Sequence, residues 1–346
     1  MKKRIILLLV LSFIVSEIYG QKKNYNIMFY NVENFFDTID DPDIRDEEFT
    51  PEGKSNWIPE KYNKKLANVE RVLFDVGKRG KSFPTVIGLS EVEVRSVLED
   101  IASTPKLRPA NYRIVHYDSP EERGVDVAFL YRPDQFKLEG SKAIRSKIKS
   151  IPDFRTRDIL TMWGTIEDEP FFFAVVHWSS RWGGQKQSEF LRIDNADQLR
   201  SVADSVYKLN PKTKIVFMGD FNDDPVDKSM IEHLRAEGNI DDLEKGDLFN
   251  PYYKMLKLGY GTLAYRGNWN IFDNIIVSEN LVNAKRGELE LKKSPTNKRV
   301  YGNIFKENYL ITQSGQYKGT PFRAFSSGKF QNGYSDHLPV YIFIGK

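Results

Sequence analysis

The sequence has no cysteine and only four histidines among its 346 residues. The missing cysteine excludes a disulfide scaffold, a thiol nucleophile and thiolate zinc sites. No apolar run long enough to span a bilayer follows the first twenty residues. No linker rich in Pro, Gly or Ser divides the chain, and no internal repeat is evident. Neither sign of charge dominates. Removing Lys2, Lys3, Arg4 and Glu17 with the first twenty residues lowers the net charge from +3 to +1. Global charge therefore predicts neither nucleic-acid nor membrane affinity.

What is present is ordinary for a folded protein: 40% hydrophobic and 13% aromatic residues, enough for a sizeable core. Disorder, collagen and coiled coil are excluded as the main description. Met1–Gly20 begins with basic residues, continues through an apolar run from Ile5 to Val15 and ends on Gly20. This is the pattern of a cleaved signal peptide, and it predicts a secreted or periplasmic product. Residues 21–346 are then expected to form a single domain and a monomer. Without disulfides, its stability rests on its core and bound ions.

Short apolar, β-branched or aromatic runs predict strands at Ile27–Tyr30, Thr85–Leu89, Val125–Tyr131, Ile159–Ile166, Phe171–Val176, Ile215–Met218, Ile275–Val277 and Val340–Ile344. Leu66, Val69, Leu73 and Val76 share one helical face, as do Phe190, Ile193, Leu199, Val202 and Val206. Glu167-Asp168-Glu169-Pro170 reads as a hairpin turn.

Polar residues border these strands. Asn31, Glu91, His177 and the pair Asp220 and Asn222 each follow a strand, whereas Asp273 and Asp336-His337 precede one. If the last two strands run antiparallel to the others, all six clusters meet on one edge, where strand rigidity preorganises them. Glu91, Asp220, Asp273 and Asp336, with amide oxygens from Asn31 and Asn222, form an oxygen set suited to Mg²⁺ or Mn²⁺, and Ca²⁺ is also compatible. His177 and His337 beside these acids are candidate general bases or acids. Metal, imidazoles and amide donors together fit hydrolysis of a phosphate ester. Each residue alone also has a plainer reading, as a turn residue, a surface acid or a core histidine. Their common order along the chain makes six independent plain readings improbable.

The motifs Phe29-Tyr30-Asn31-Val32-Glu33-Asn34, Leu89-Ser90-Glu91-Val92-Glu93, Val176-His177-Trp178, Met218-Gly219-Asp220-Phe221-Asn222, Asp273-Asn274-Ile275-Ile276 and Ser335-Asp336-His337-Leu338-Pro339 span nearly the whole mature chain. In these motifs the sequence resembles the endonuclease/exonuclease/phosphatase superfamily, with its DNase-I-like fold, and an exported bacterial-type member of it. The resemblance implies an α/β (α+β) four-layer sandwich of two packed mixed sheets flanked by helices, and divalent-metal-dependent phosphoester cleavage. It implies Glu91 as principal metal ligand, with Asn31 and Asp336 on the metal side. Asp220 and Asn222 resemble the pair that positions the nucleophile. His337 resembles the imidazole that activates water or contacts phosphate, oriented by Asp273, and His177 resembles a second catalytic histidine. Arg157 resembles a phosphate-contacting arginine before a strand, the alternative being a solvated edge residue. Asp126 is a candidate support for His177. The choice of base and acid stays open. Nucleases of the DNase I type carry an arginine two residues after the metal glutamate; here that place is Glu93, with Arg95 two further on.

Charge is uneven along the chain. Asp37–Lys65 holds nine acids and five bases, whereas Lys285–Tyr334 holds ten bases and three acids interleaved with aromatics. The second stretch is either a polyanion grip or a solvated loop with its aromatics packed inward. Trp178, Arg181 and Trp182 are expected to line the same cleft as His177. Three readings follow: a secreted endonuclease acting on nucleic acid, another phosphoesterase acting on a phospholipid head group, inositol phosphate or small phosphate ester, and an inactive binding protein.

Overall fold

The computed structural model describes residues 24–346, so the expected signal peptide at Met1–Gly20 lies outside the described residues. Two sheets carry the architecture. The first uses β1 (Asn24–Phe35), β2 (Val86–Val92), β3 (Arg113–His116) and β4 (Asp126–Tyr131). The second uses β5 (Lys137–Ile144), β6 (Ile159–Ile166), β7 (Glu169–His177), β8 (Lys214–Asp220) and β9 (Asp273–Ser278). Late in the chain β10 (Glu290–Lys292) and β11 (Val340–Gly345) return to the first sheet. The spatial orders are β10-β11-β1-β2-β4-β3 and β5-β6-β7-β8-β9, and the second sheet is extended past β9 by the short strands Leu248–Phe249 and Ala236–Glu237.

Each sheet has one central parallel pair, β1 with β2 and β7 with β8. Each pair is flanked by an antiparallel strand, β11 beside β1 and β9 beside β8. The antiparallel condition required by the sequence argument is therefore met in both sheets.

Alternation along the strands divides the core into layers. Ile27 and Phe29 point between the sheets with Phe173, Val175, Val216 and Met218. Met28 and Tyr30 point outward, with Ile87 and Leu89, onto Val69, Leu73 and Val76 of α1 (Pro59–Arg79) and Leu98 of α2 (Arg95–Ser103). Ala174, Ile215 and Phe217 pack on Ala196, Leu199 and Ala203 of α3 (Gln185–Leu209). The result is four layers with strands buried on both faces, which is why they read as continuous apolar runs. Truncating a residue such as Leu73 to Ala would cost about 2–5 kcal/mol.

α1 has the expected apolar face, with Pro59 in its first turn and Lys78 and Arg79 in its last, where they complement the helix dipole. α3 differs from expectation. Phe190 is exposed and Ile193 only half-buried, while Arg192 is fully buried. The physical reason is an ion pair: Arg192 Nε lies 2.7 Å from Asp223 Oδ1, so a charged residue occupies the inner face. The hairpin at Glu167-Asp168 forms as predicted, with both residues at positive φ. No helix among the described residues is long and apolar enough to cross a membrane.

Candidate active site

The parallel registers set the positions of the polar residues. Asn31 pairs with Ser90, one residue before Glu91, and His177 pairs with Asp220. Asp273 then lies opposite Asp220 across the antiparallel β8–β9 ladder. A Cβ on Gly219 would lie 2.2 Å from the Val176 carbonyl oxygen, so this close approach beside the site demands glycine. The β2–β4 register slips between Ser90 and Val92, and Glu91 sits in that irregularity at φ +62°. Left-handed backbone at a glutamate costs roughly 1–3 kcal/mol and re-aims the side chain.

Two anchors hold Glu91. Oε1 accepts Asn31 Nδ2 at 3.1 Å and Oε2 accepts the Asn34 N–H at 2.8 Å. The same Asn31 Nδ2 lies 3.1 Å from Asp220 Oδ2, while Asn31 Oδ1 accepts the Glu33 N–H at 2.9 Å. Asn31 thus differs from its expected role as an oxygen donor to the metal. Two carboxylates converge on it, so its NH₂ group faces them and bridges Glu91 to Asp220.

His177 Nε2 is 3.6 Å and His337 Nε2 3.7 Å from Asp220 Oδ2. His337 Nδ1 lies 2.8 Å and 3.0 Å from the two oxygens of Asp273. The Asn222 N–H donates to Asp220 Oδ1 at 2.9 Å, and its side-chain amide donates to the Trp178 carbonyl. Ser335 is a site residue that the sequence motif does not single out. Its hydroxyl donates to the Asn31 carbonyl at 2.7 Å and accepts the His337 N–H at 3.0 Å, tying the His337 segment to β1. Asp336 is half-exposed and accepts Arg323 Nη2 at 2.6 Å.

The two imidazoles are pushed in opposite directions. Burial opposes charge on His337, but Asp273 and Asp220 outweigh it and hold its pKa well above the usual value. Burial, with Arg157 and Arg123 nearby, holds His177 well below it. Burial also raises the Asp220 carboxyl to about 7, with Asp273 and Glu91 adding to the rise and His337 opposing it. Such divergence is what acid–base partners require.

Three expectations are corrected. Arg157 is buried, donating to the His177 and Trp178 carbonyls at 3.2 and 2.9 Å and facing Glu121 at 3.7 Å. Its donors are committed to the chain, so it positions His177 instead of contacting phosphate. Asp126 does not pair with His177; its carboxylate faces His116 Nε2 at 3.4 Å and accepts the Ser119 N–H. Trp178 does not line the cleft, because its ring is buried edge-on against Phe221. Arg181 is tied to Asp227 and Asp223, whereas Trp182 is 89% exposed.

The basic aromatic stretch is not one surface. Phe305, Phe325 and Tyr334 are buried, Lys318 and Arg323 border Asp336, and Lys292, Lys293 and Lys298 line a different cleft. Glu93, the departure from the nuclease pattern, is buried and accepts the Asp37 N–H at 2.7 Å. Arg95 pairs with Glu99 on the surface of α2.

The donor set fits a divalent cation. Glu91 and the buried Asp220 share a single neutral NH₂ group, and their oxygens suit a hard ion. Asp220, Asp273 and His337 also bring ligand atoms within 4.8 Å of one another. Both Asp273 oxygens are already engaged by His337 Nδ1, however, so that trio reads as a hydrogen-bonded relay and Glu91 as the metal side.

The profile of the Endonuclease/Exonuclease/phosphatase family matches residues 26–346. No curated protein matches the sequence. Solved structures of similar fold include TDP2 of D. rerio complexed with single strand DNA product, at 14% identity and TM-score 0.53, covering 93% of this chain and 99% of that one. The human Nocturnin catalytic domain with bound sulfate anion aligns at 15% identity and TM-score 0.53, covering 94% of this chain and 96% of its own. A mannosyl-6-phosphatase of Bacteroides thetaiotaomicron aligns at 14% identity and TM-score 0.52, with 92% and 99% covered.

Proposed function

We propose, because the chain belongs to the endonuclease/exonuclease/phosphatase family and is a phosphoric ester hydrolase, that its substrate is nucleic acid, cleaved endonucleolytically at a phosphodiester with Mg²⁺ or Mn²⁺. One observation carries the choice of substrate. A cleft of about 540 Å³ that reaches Asp336 is lined by Tyr265, Arg266, Tyr317, Lys318 and Arg323. Tyr265 and Tyr317 are 64% and 53% exposed, and Arg266 lies over the Tyr265 ring, so the cleft presents aromatic faces beside cations. Cations grip phosphates and aromatic faces stack on bases.

Glu91 and Asp220 would hold a divalent ion, which when bound would neutralise charge on the phosphoryl oxygens. The chain's own residues handle the proton. His177 and His337 flank the same Asp220 oxygen, so a water or leaving oxygen hydrogen-bonded there is within reach of both imidazoles. Asp273 fixes the His337 ring, and Arg157 fixes the backbone that carries His177.

The fold relative complexed with single strand DNA product supports this reading. The mannosyl-6-phosphatase supports a second one, a phosphatase acting on a small sugar phosphate. Glu93 favours the second, since it stands where a DNA-gripping arginine would be. We further propose export from the cytoplasm, supported by the signal-like residues Met1–Gly20.

Steady-state hydrolysis of single-stranded DNA and of mannose 6-phosphate separates the two. The nucleic-acid reading expects the DNA to be cut, with KM raised about tenfold by Tyr317→Ala through lost stacking. Turnover of the sugar phosphate alone would overturn it.

A further inference from the structure

A second basic region lies away from the catalytic acids. A cleft of about 630 Å³ is lined by Asn24 at the start of β1, by Arg79 and Lys81 at the end of α1, and by Lys292, Lys293 and Lys298. A neighbouring cleft of about 450 Å³ shares Lys293 and Lys298 and adds Lys254 and Arg299. Among the described residues no carboxylate lines the first cleft, and Asp241 is the one that lines the second.

Arg79 pairs with Glu307 and Lys292 with Glu290. Lys81, Lys254, Lys293, Lys298 and Arg299 have no ion-pair partner among the described residues. Arg79 and Lys81 have a structural reason to be there, since cations complement the end of α1. The other four do not lie on α1. Unpaired like charges around two adjoining concavities repel one another, and a multivalent anion removes that cost while releasing counterions.

β1 links this region to the active site, because Asn24 lines the cleft and Asn31 contacts Glu91. Seven strand residues at 3.3 Å each separate the two by about 23 Å. That line runs through the buried core, so a nucleic-acid strand reaching both sites follows the longer path over the surface and needs more than the roughly 7 nucleotides that 3.4 Å per nucleotide gives for the straight distance.

We propose that the paired clefts form a second polyanion site, which holds the phosphate backbone of a nucleic-acid substrate remote from the bond being cut. The inference rests on the nucleic-acid reading above. It makes binding length-dependent: an oligonucleotide too short to bridge both sites is held at the catalytic cleft alone.

The test is fluorescence-anisotropy binding of two thymidine oligonucleotides to the full protein in EDTA, one of roughly 4 nucleotides and one of roughly 30, as a function of salt. Hydrolysis of both is then followed in Mg²⁺. The long oligonucleotide is expected to bind at least tenfold more tightly, with the steeper salt dependence. The double variant Lys293→Glu, Lys298→Glu should reduce its affinity to that of the short one, while hydrolysis of the short one is unchanged. Circular dichroism of the variant checks that it is folded, and Lys293→Gln, Lys298→Gln should give an intermediate loss. Cleavage of both oligonucleotides without a length advantage, or a length advantage that survives in the folded variant, overturns the second site alone. Failure of the wild type to bind or cleave either one overturns the nucleic-acid reading and the second site with it.

Discussion

His177 ends β7 of one sheet and His337 precedes β11 of the other, yet each brings Nε2 to the same oxygen of Asp220, at 3.6 and 3.7 Å. Two packed sheets with matching central parallel pairs produce this convergence, since each contributes one histidine-bearing segment to the shared edge.

The contact between Asp273 and His337 predicts the first mutant. Asp273→Asn puts an amide donor or a neutral oxygen where an anion held Nδ1, which changes the imidazole's tautomer and lowers its raised pKa. We expect kcat to fall about 10²–10⁴-fold with KM little changed. The pH–rate limb belonging to His337 should move to lower pH. Kinetics across a pH series read both effects, and an unchanged profile would contradict the assignment.

Arg157 provides a sharper distinction. As a positioning residue with a buried guanidinium, it should cost about 3 kcal/mol of stability when changed to Met, because Glu121 and two carbonyls lose their partner. A phosphate-contacting arginine would instead raise KM and leave stability intact. Urea denaturation of Arg157→Met, together with KM of the folded fraction, decides between the two.

Much of this site is legible in the sequence because strands buried on both faces are uninterrupted apolar runs, and the polar residue ending each run is conspicuous. Ile159–Ile166 has the strand bounds expected of it, His177 and Asp220 end their strands and Glu91 is one residue from the end of β2, whereas β1 runs on past Asn31 to Phe35. What the sequence conceals is which partner a buried charge selects. Arg157, Asp126 and Arg192 find Glu121, His116 and Asp223 through tertiary packing, with no periodic pattern to announce it. The basic run Lys285–Tyr334 looks continuous in sequence, but its path around the fold sends Lys318 and Lys298 to different clefts.

Metal dependence separates Glu91 from Asp126. Adding Mg²⁺ or Mn²⁺ should raise Tm, by the equivalent of about 2.7 kcal/mol at a concentration 100 times Kd. Glu91→Gln should abolish both that stabilisation and activity. Asp126→Asn, whose carboxylate faces His116, should retain both. Differential scanning fluorimetry with and without EDTA measures the shifts.

Burial pushes the Glu93 carboxyl from 4.5 up to about 8. The folded chain therefore keeps a proton across that window that the unfolded chain has lost, and stability falls as pH rises through it. Glu93→Gln is neutral throughout and can still accept the Asp37 N–H. In EDTA, its Tm should exceed that of the wild type at pH 8 and converge with it toward pH 5. A gap that widens on acidification would contradict this account.

Metal-dependent nuclease activity is tested most directly by incubating residues 21–346 with supercoiled plasmid and Mg²⁺, alongside EDTA and His337→Ala controls. The account predicts nicking by the wild type that disappears in both controls. An intact plasmid with demonstrably folded wild-type protein, or nicking that persists in EDTA, would contradict it.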